Sequence, residues 1–89
     1  MKIKHGFLLR EIAGSWVVVP VGERVVEFNG LMSLNESGAL LWKKLEAESV
    51  DEQELVSILT SNYKVDENTA RVDVIEFLSL ITEKGLIEV

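Results

Sequence analysis

The apolar positions of this chain change period near residue 34. Before that point they fall in short runs separated by turn residues. Phe7 to Ala13 (FLLREIA) alternates imperfectly, Trp16 to Val19 (WVVV) is a β-branched block, and Arg24 to Phe28 (RVVEF) and Leu31 to Leu34 follow. Runs of this length and composition read as β-strands. Ala13-Gly14-Ser15 offers one tight turn. Asn29-Gly30 offers another, because both residues tolerate the positive φ of a primed hairpin turn. Pro20 has no N–H for a ladder and ends the second strand or marks an edge. Met1 to Gly6 reads as a loose lead-in. The pattern predicts a small antiparallel meander of three to four strands.

From Asn35 onward the spacing is helical. Asn35 can cap with its side-chain oxygen, and Leu34 before it can staple onto Ala39. The first helix is predicted over Glu36 to Leu45, with Ala39, Leu41, Trp42 and Leu45 inward and Gly38 leaving room for a close backbone. The second starts with Ser49 as cap and Glu52 reaching back, a capping-box spacing. It turns Leu55, Val56, Ile58 and Leu59 to the core and frays at Thr60-Ser61-Asn62, after which Tyr63 packs back. The third runs from an Asp66 cap to Lys84, with Gly85 as a left-handed stop. At about 100° per residue, Ala70, Val74, Phe77, Leu78 and Ile81 share one face, while Val72, Ile75 and Leu80 lie off it. Leu86 to Val89 alternates like a last short strand. The order implies one α+β domain over residues 1–89, of winged-helix character.

Composition narrows the chemistry. The chain has 89 residues and a formal charge of −6, from 9 Lys and Arg against 15 Asp and Glu. That balance opposes nucleic acid, which rewards a basic face, and most of the carboxylates read as solvated surface. There is no cysteine, hence no thiolate nucleophile, disulfide or sulfur metal site. No run approaches the roughly 18 apolar residues of a membrane span, so the expected location is the cytoplasm. His5 is the sole histidine, and metal sites need convergent ligands. Asp51, Glu52 and Glu54 suit a helix N-terminus without any cation. The glycines are scattered at turns rather than gathered in a phosphate loop, and no serine has an evident base. Glu76 and Glu83 read as solvated. No catalytic residue, metal or cofactor is expected.

What remains is recognition by surface. The edge of the meander at Leu31, Met32, Ser33 and Leu34 could accept an extended peptide as an added strand. The third helix has a surplus apolar rim at Ile75 and Leu78, with Arg71 and Thr82 nearby. The plainer reading buries Leu31 and Leu34 in the core and covers Ile75 with Trp16 or Trp42.

The residues also resemble a known family in order and spacing. WVVVP ends a strand in proline. Leu34-Asn35-Glu36-Ser37-Gly38-Ala39 is similar to a Leu-Asn-x-(Ser/Thr)-(Gly/Ala)-Ala signature, and an apolar stretch with Trp42 follows. Ser49 to Leu55 is similar to a Thr-Val-x-Glu-Ile helix start, and Tyr63-Lys64-Val65 to Tyr-x-Val. Asp73-Val74-Ile75-Glu76-Phe77-Leu78 fits Asp-Val-x-x-Phe-Leu, and Gly85-Leu86-Ile87 fits a closing Gly-Leu-Ile. From Phe7 onward the chain thus resembles the PqqD-like family, the precursor-peptide recognition element of ribosomal peptide natural products. The resemblance implies a non-catalytic module that binds the leader segment of a precursor peptide. It would present that segment to a modifying enzyme, often a radical S-adenosylmethionine enzyme. It further implies that the peptide adds to the last strand, here Leu31 to Leu34, and lies against the third helix; the helical wheel puts Arg71, Ile75, Leu78 and Thr82 on the side facing it. Short family members pass almost directly from the proline-ended strand to Leu-Asn. This chain inserts Val21 to Gly30, and if RVVEF were the outer strand the docking edge would move to Val25, Val26 and Phe28.

Two other readings stand beside it. A winged-helix DNA-binding domain would use the third helix for recognition, yet that helix carries Asp73, Glu76 and Glu83 against Arg71 and Lys84, which repels phosphate. A homodimeric assembly subunit would use the same apolar surplus against a second copy.

Overall fold

A computed structural model describes residues 1–23 and 32–88. The expected Arg24 to Phe28 strand, the Asn29-Gly30 turn, Leu31 and Val89 lie outside the described residues. Among the described residues, eight elements follow in order: strands β1 (Lys2–Ile3), β2 (Phe7–Ile12), β3 (Ser15–Pro20) and β4 (Met32–Leu34), helices α1 (Glu36–Ala47), α2 (Glu52–Asn62) and α3 (Glu67–Glu83), and strand β5 (Ile87–Glu88). The architecture is α+β, with antiparallel strands followed by three helices.

The main sheet has the order β2-β3-β4. Its first turn is Ala13-Gly14, both at positive φ (52° and 81°), as a primed two-residue hairpin requires. A two-residue turn makes its flanking pair, Ile12 and Ser15, hydrogen-bonded. Antiparallel pairs then alternate between bonded and non-bonded. Ser15, Val17 and Val19 therefore exchange backbone bonds with β2, and the Val21 N–H, next in that series, reaches the Gly6 carbonyl at 2.9 Å. Trp16 and Val18 turn their backbone groups the other way, toward their β4 partners Leu34 and Met32. Pro20 falls in this second series, so its missing N–H is one that β2 never needed.

Asn35 caps α1 as expected: the Gly38 N–H donates to its Oδ1 at 2.7 Å. A Cβ at Gly38 would lie 3.0 Å from that oxygen and 3.5 Å from Leu34 Cβ. The close approach that Gly38 permits is therefore that of its own cap. The start of α2 differs from expectation. Asp51, not Ser49, is the cap; the Glu54 N–H donates to it at 2.8 Å, and Glu54 reaches back to the Asp51 N–H. Two overlapping spacings compete here, and a carboxylate so placed also meets the positive end of the helix. Nor does α2 fray at Thr60. Thr60 Oγ1 and Asn62 Nδ2 donate to the Ser57 and Ile58 carbonyls, and the helix runs to Asn62. Asp66 caps α3, accepting from the Thr69 N–H at 2.7 Å, and Gly85 at φ 75° follows its end.

The expected loose lead-in is structured. β1 pairs antiparallel with β5, Lys2 with Glu88 and Ile3 with Ile87. The Lys4 N–H donates to the Leu86 carbonyl at 2.8 Å, and the Val50 N–H donates to Met1 at 3.0 Å. The terminal ammonium donates to the Val50 carbonyl and, at 3.3 Å, to the Ser49 hydroxyl. Ser49 thus serves the chain start rather than a helix start. Two-residue strands are too short to show alternation, and only the burial of Ile3 reveals why they pair.

The core lies between the sheets and helices. Trp42, Leu41 and Leu45 of α1, Leu55, Val56 and Leu59 of α2, Ala70, Val74, Phe77 and Ile81 of α3, and Val18 and Met32 of the sheet form one buried cluster with Leu86. Trp42 is fully buried yet satisfied, because Nε1 donates to Glu46 Oε2 at 2.9 Å. Truncating such a side chain costs about 3–5 kcal/mol. Tyr63 is half-buried against the cluster, as expected.

Candidate functional site

Among the described strands, β4 is an edge. Its ladder with β3 uses the backbone groups of Met32 and Leu34, so those of Ser33 point outward. Among the described residues no strand pairs on that side. Met32 is buried and Ser33 exposed, and Leu34 packs in part against the core. Leu31 lies outside the described residues.

Beside this edge runs α3. A cleft of about 220 Å³ separates them, lined by Ser33, Leu34, Asn35, Ser37 and Gly38 on one wall and by Asp73, Glu76, Phe77 and Leu80 on the other. Phe77 and Leu34 give it an apolar floor, while Leu80 stands at 37% exposure. A strand laid along β4 would direct alternate side chains into this cleft, on the face shared by Met32 and Leu34. A wider hollow of about 830 Å³ adjoins the far end of β4, near Trp16, Lys43 and Tyr63. There Lys43 Nζ stands 4.3 Å from the centroid of the Trp16 ring. It shares Ser33, Leu34 and Asn35 with the cleft but lacks the α3 wall.

The structure does not bring the eight expected residues together. Ile75, Leu78 and Thr82 line a different hollow, with Glu52, Ser79 and Glu83, facing α2. Arg71 is on that same flank, where its guanidinium donates to Glu52 at 2.9 Å, Gln53 at 2.6 Å and Glu67 at 3.2 Å. The expectation placed these four positions toward the strand edge, whereas Ile75, Leu78 and Thr82 are absent from the lining of the cleft at β4. The buried stripe of α3 has two flanks, and at about 100° per residue Asp73, Glu76 and Leu80 fall on the other one. Ile75 is 46% exposed, covered by neither tryptophan. The signal that could have separated the flanks was the cation. Arg71 lies within reach of the acidic start of α2, and such pairing places its flank against that helix.

Other chemistry stays sparse. Among the described residues, no group of three His, Cys, Asp or Glu side chains is placed to hold a metal ion, and no helix is long and apolar enough to cross a membrane. Asp51 and Glu54 are engaged in their own capping box. Arg71, one of two cations on or beside α3, is already spoken for by α2.

Comparison with known proteins identifies the fold and the family. TbiB1, solved in complex with the TbiA(beta) leader peptide, superposes with a TM-score of 0.77 at 25% identity, covering 99% of this chain and 95% of that one. Lasso peptide synthetase B1, complexed with the leader peptide, superposes with a TM-score of 0.73 at 19% identity, covering 96% and 93%. No curated protein matches the sequence. The sequence profile of coenzyme PQQ synthesis protein D matches residues 15–87. A match over that much of the chain places it: this protein belongs to the PqqD family.

Proposed function

We propose that this chain is a non-catalytic recognition module that takes up the leader segment of a ribosomally made precursor peptide as an added strand on β4. The observation that carries this reading is the outward-facing backbone of Ser33 beside a cleft walled by α3. Main-chain bonds to such an edge supply affinity, and the pockets that receive alternate side chains supply selectivity. Support comes from TbiB1, a family-like fold solved with a leader peptide on it. The site is redrawn from the sequence reading: Met32, Ser33 and Leu34 remain, Asp73, Glu76, Phe77 and Leu80 join them, and the Arg71, Ile75, Leu78 and Thr82 flank does not face the peptide. In this role the module works in the cytoplasm and hands its cargo to a modifying enzyme, a radical S-adenosylmethionine enzyme being the class the family resemblance favours.

The test is a titration of the isotope-labelled chain with synthetic leader segments, taken from short peptides encoded beside its gene. The expected result is a shift of the Ser33 and Leu34 amides together with those of Asp73 to Leu80. Shifts confined to α1 and α2 overturn the reading.

A further inference from the structure

The cleft is acidic, and its charges are uncommitted. Asp73 and Glu76 have no hydrogen-bond or ion-pair partner among the described residues, whereas Arg71 on the opposite flank is held by Glu52 and Glu67. A second hollow of about 310 Å³ continues from the cleft past Asp73 and adds Glu36 to its wall. No lysine, arginine or histidine lines either hollow. Among the described residues, an extended segment docked in these two hollows passes two or three carboxylates, and the cation of the adjoining hollow is Lys43, beside Trp16.

Spacing sharpens the requirement. At about 1.5 Å of rise per residue, Asp73 and Glu76 stand about 4.5 Å apart along the α3 axis, and Leu80 lies about 6 Å further on. Alternate side chains of a strand repeat at about 6.8 Å on one face. One basic side chain can therefore span both carboxylates while the next residue on the same face meets Phe77 and Leu80. Resting on the strand-addition reading above, we infer that the segment this protein selects carries a lysine or arginine two positions from an apolar residue. The basic group sits over Asp73 and Glu76, and the apolar one over Phe77 and Leu80. Each carboxylate is solvent-accessible, so the pair acts as a selector rather than the main source of affinity.

The experiment uses a displayed library of random peptides of about 12 residues, selected on the immobilised full chain. Enriched peptides are resynthesised with a fluorophore and measured against wild type, against Asp73→Asn with Glu76→Gln, and against Glu83→Gln with Glu88→Gln, which makes the same change in net charge away from the cleft. The expected result has three parts. Enriched sequences share the basic-x-apolar spacing, they shift the Ser33 amide, and they bind the cleft variant about fivefold or more weakly while tolerating the control. Peptides that shift Ser33 but lack a basic residue, or that bind the cleft variant as well as wild type, overturn the charge inference and leave strand addition standing. So does an equal loss in both variants. If no enriched peptide moves Ser33, strand addition itself fails.

Discussion

The two flanks of α3 both set apolar side chains beside charged ones, but the fold uses those charges differently. One presents Ile75, Leu78 and Thr82 below Arg71, and the other presents Phe77 and Leu80 below Asp73 and Glu76. On the first flank the Arg71 guanidinium is consumed internally, shared among Glu52, Gln53 and Glu67, and Glu83 also lines the hollow. On the second, Asp73 and Glu76 have no partner among the described residues, and a strand edge lies opposite. The apolar rim of a helix therefore does not by itself mark a docking face. What marks it is a strand edge that can still be paired, with a cleft between it and the helix.

The largest effect should come from removing that backbone. Ser33→Pro deletes the outward N–H while sparing the bonds of Met32 and Leu34 to β3, and edge positions tolerate proline. Affinity for a leader segment should fall about thirtyfold or more, since a docked strand loses a main-chain bond and meets the ring. Ser33→Ala should stay within about twofold in the same fluorescence assay. Next comes an exchange across the helix. Leu80→Glu should weaken binding about tenfold, through lost apolar contact and added repulsion of the cleft, whereas Ile75→Glu should leave it unchanged. Both side chains are more than a third exposed, so neither change empties the core, and matching denaturation midpoints would verify that. Equal losses from the two variants would erase the distinction between the flanks.

How much of this was legible in the chain follows from the range of the forces involved. Asn35, Asp66 and Gly85 announced their helix ends because capping is local, decided within a turn by one side chain. The inward face of α3 was legible because periodicity averages over many residues. Ser49 misled because two capping spacings overlap, and the choice rests on whether Met1 arrives to claim the hydroxyl, a contact 48 residues away in sequence. The pairing of β1 with β5 was hidden for the same reason. The phase of the docking flank lies between these cases. The wheel fixes which stripe is buried, but the order in which α2 and β4 pack on either side of it is a property of the tertiary fold. Helix-wheel reasoning therefore kept Leu78 and lost Leu80, although both border the same stripe.

A smaller effect separates the flanks by stability instead of affinity. Arg71→Met removes an exposed network of three partners while keeping the aliphatic stem. It should lower unfolding free energy by about 0.5–1 kcal/mol, read from chemical denaturation, and leave leader binding within error. Glu76→Gln should do the converse, weakening binding while leaving the denaturation midpoint unchanged or slightly raised, because the wild-type carboxylate holds no partner among the described residues. If Arg71→Met weakened binding as strongly as Glu76→Gln, the guanidinium would be acting across the helix on the cleft, and the separation drawn here would not hold.

The smallest effect concerns a residue that serves both flanks. The Asp66 carboxylate accepts from the Thr69 N–H, and this bond holds its pKa below the ordinary value of 3.8. As pH falls, the unfolded chain therefore binds its proton before the folded one does. The stabilisation from this cap is complete above about pH 4 and is lost as pH drops through the depressed folded value. Asp66→Asn keeps an accepting oxygen and cannot titrate. Its acid denaturation curve should be flatter than wild type below about pH 4, with little difference at neutral pH. Because the cap precedes both flanks and sets neither charge pattern, the same variant should preserve the ratio of the Leu80→Glu and Ile75→Glu binding effects. A changed ratio would mean that the first turn of α3 rotates the helix between α2 and β4, making the cleft a matter of helix phase rather than of which side chains were left without partners.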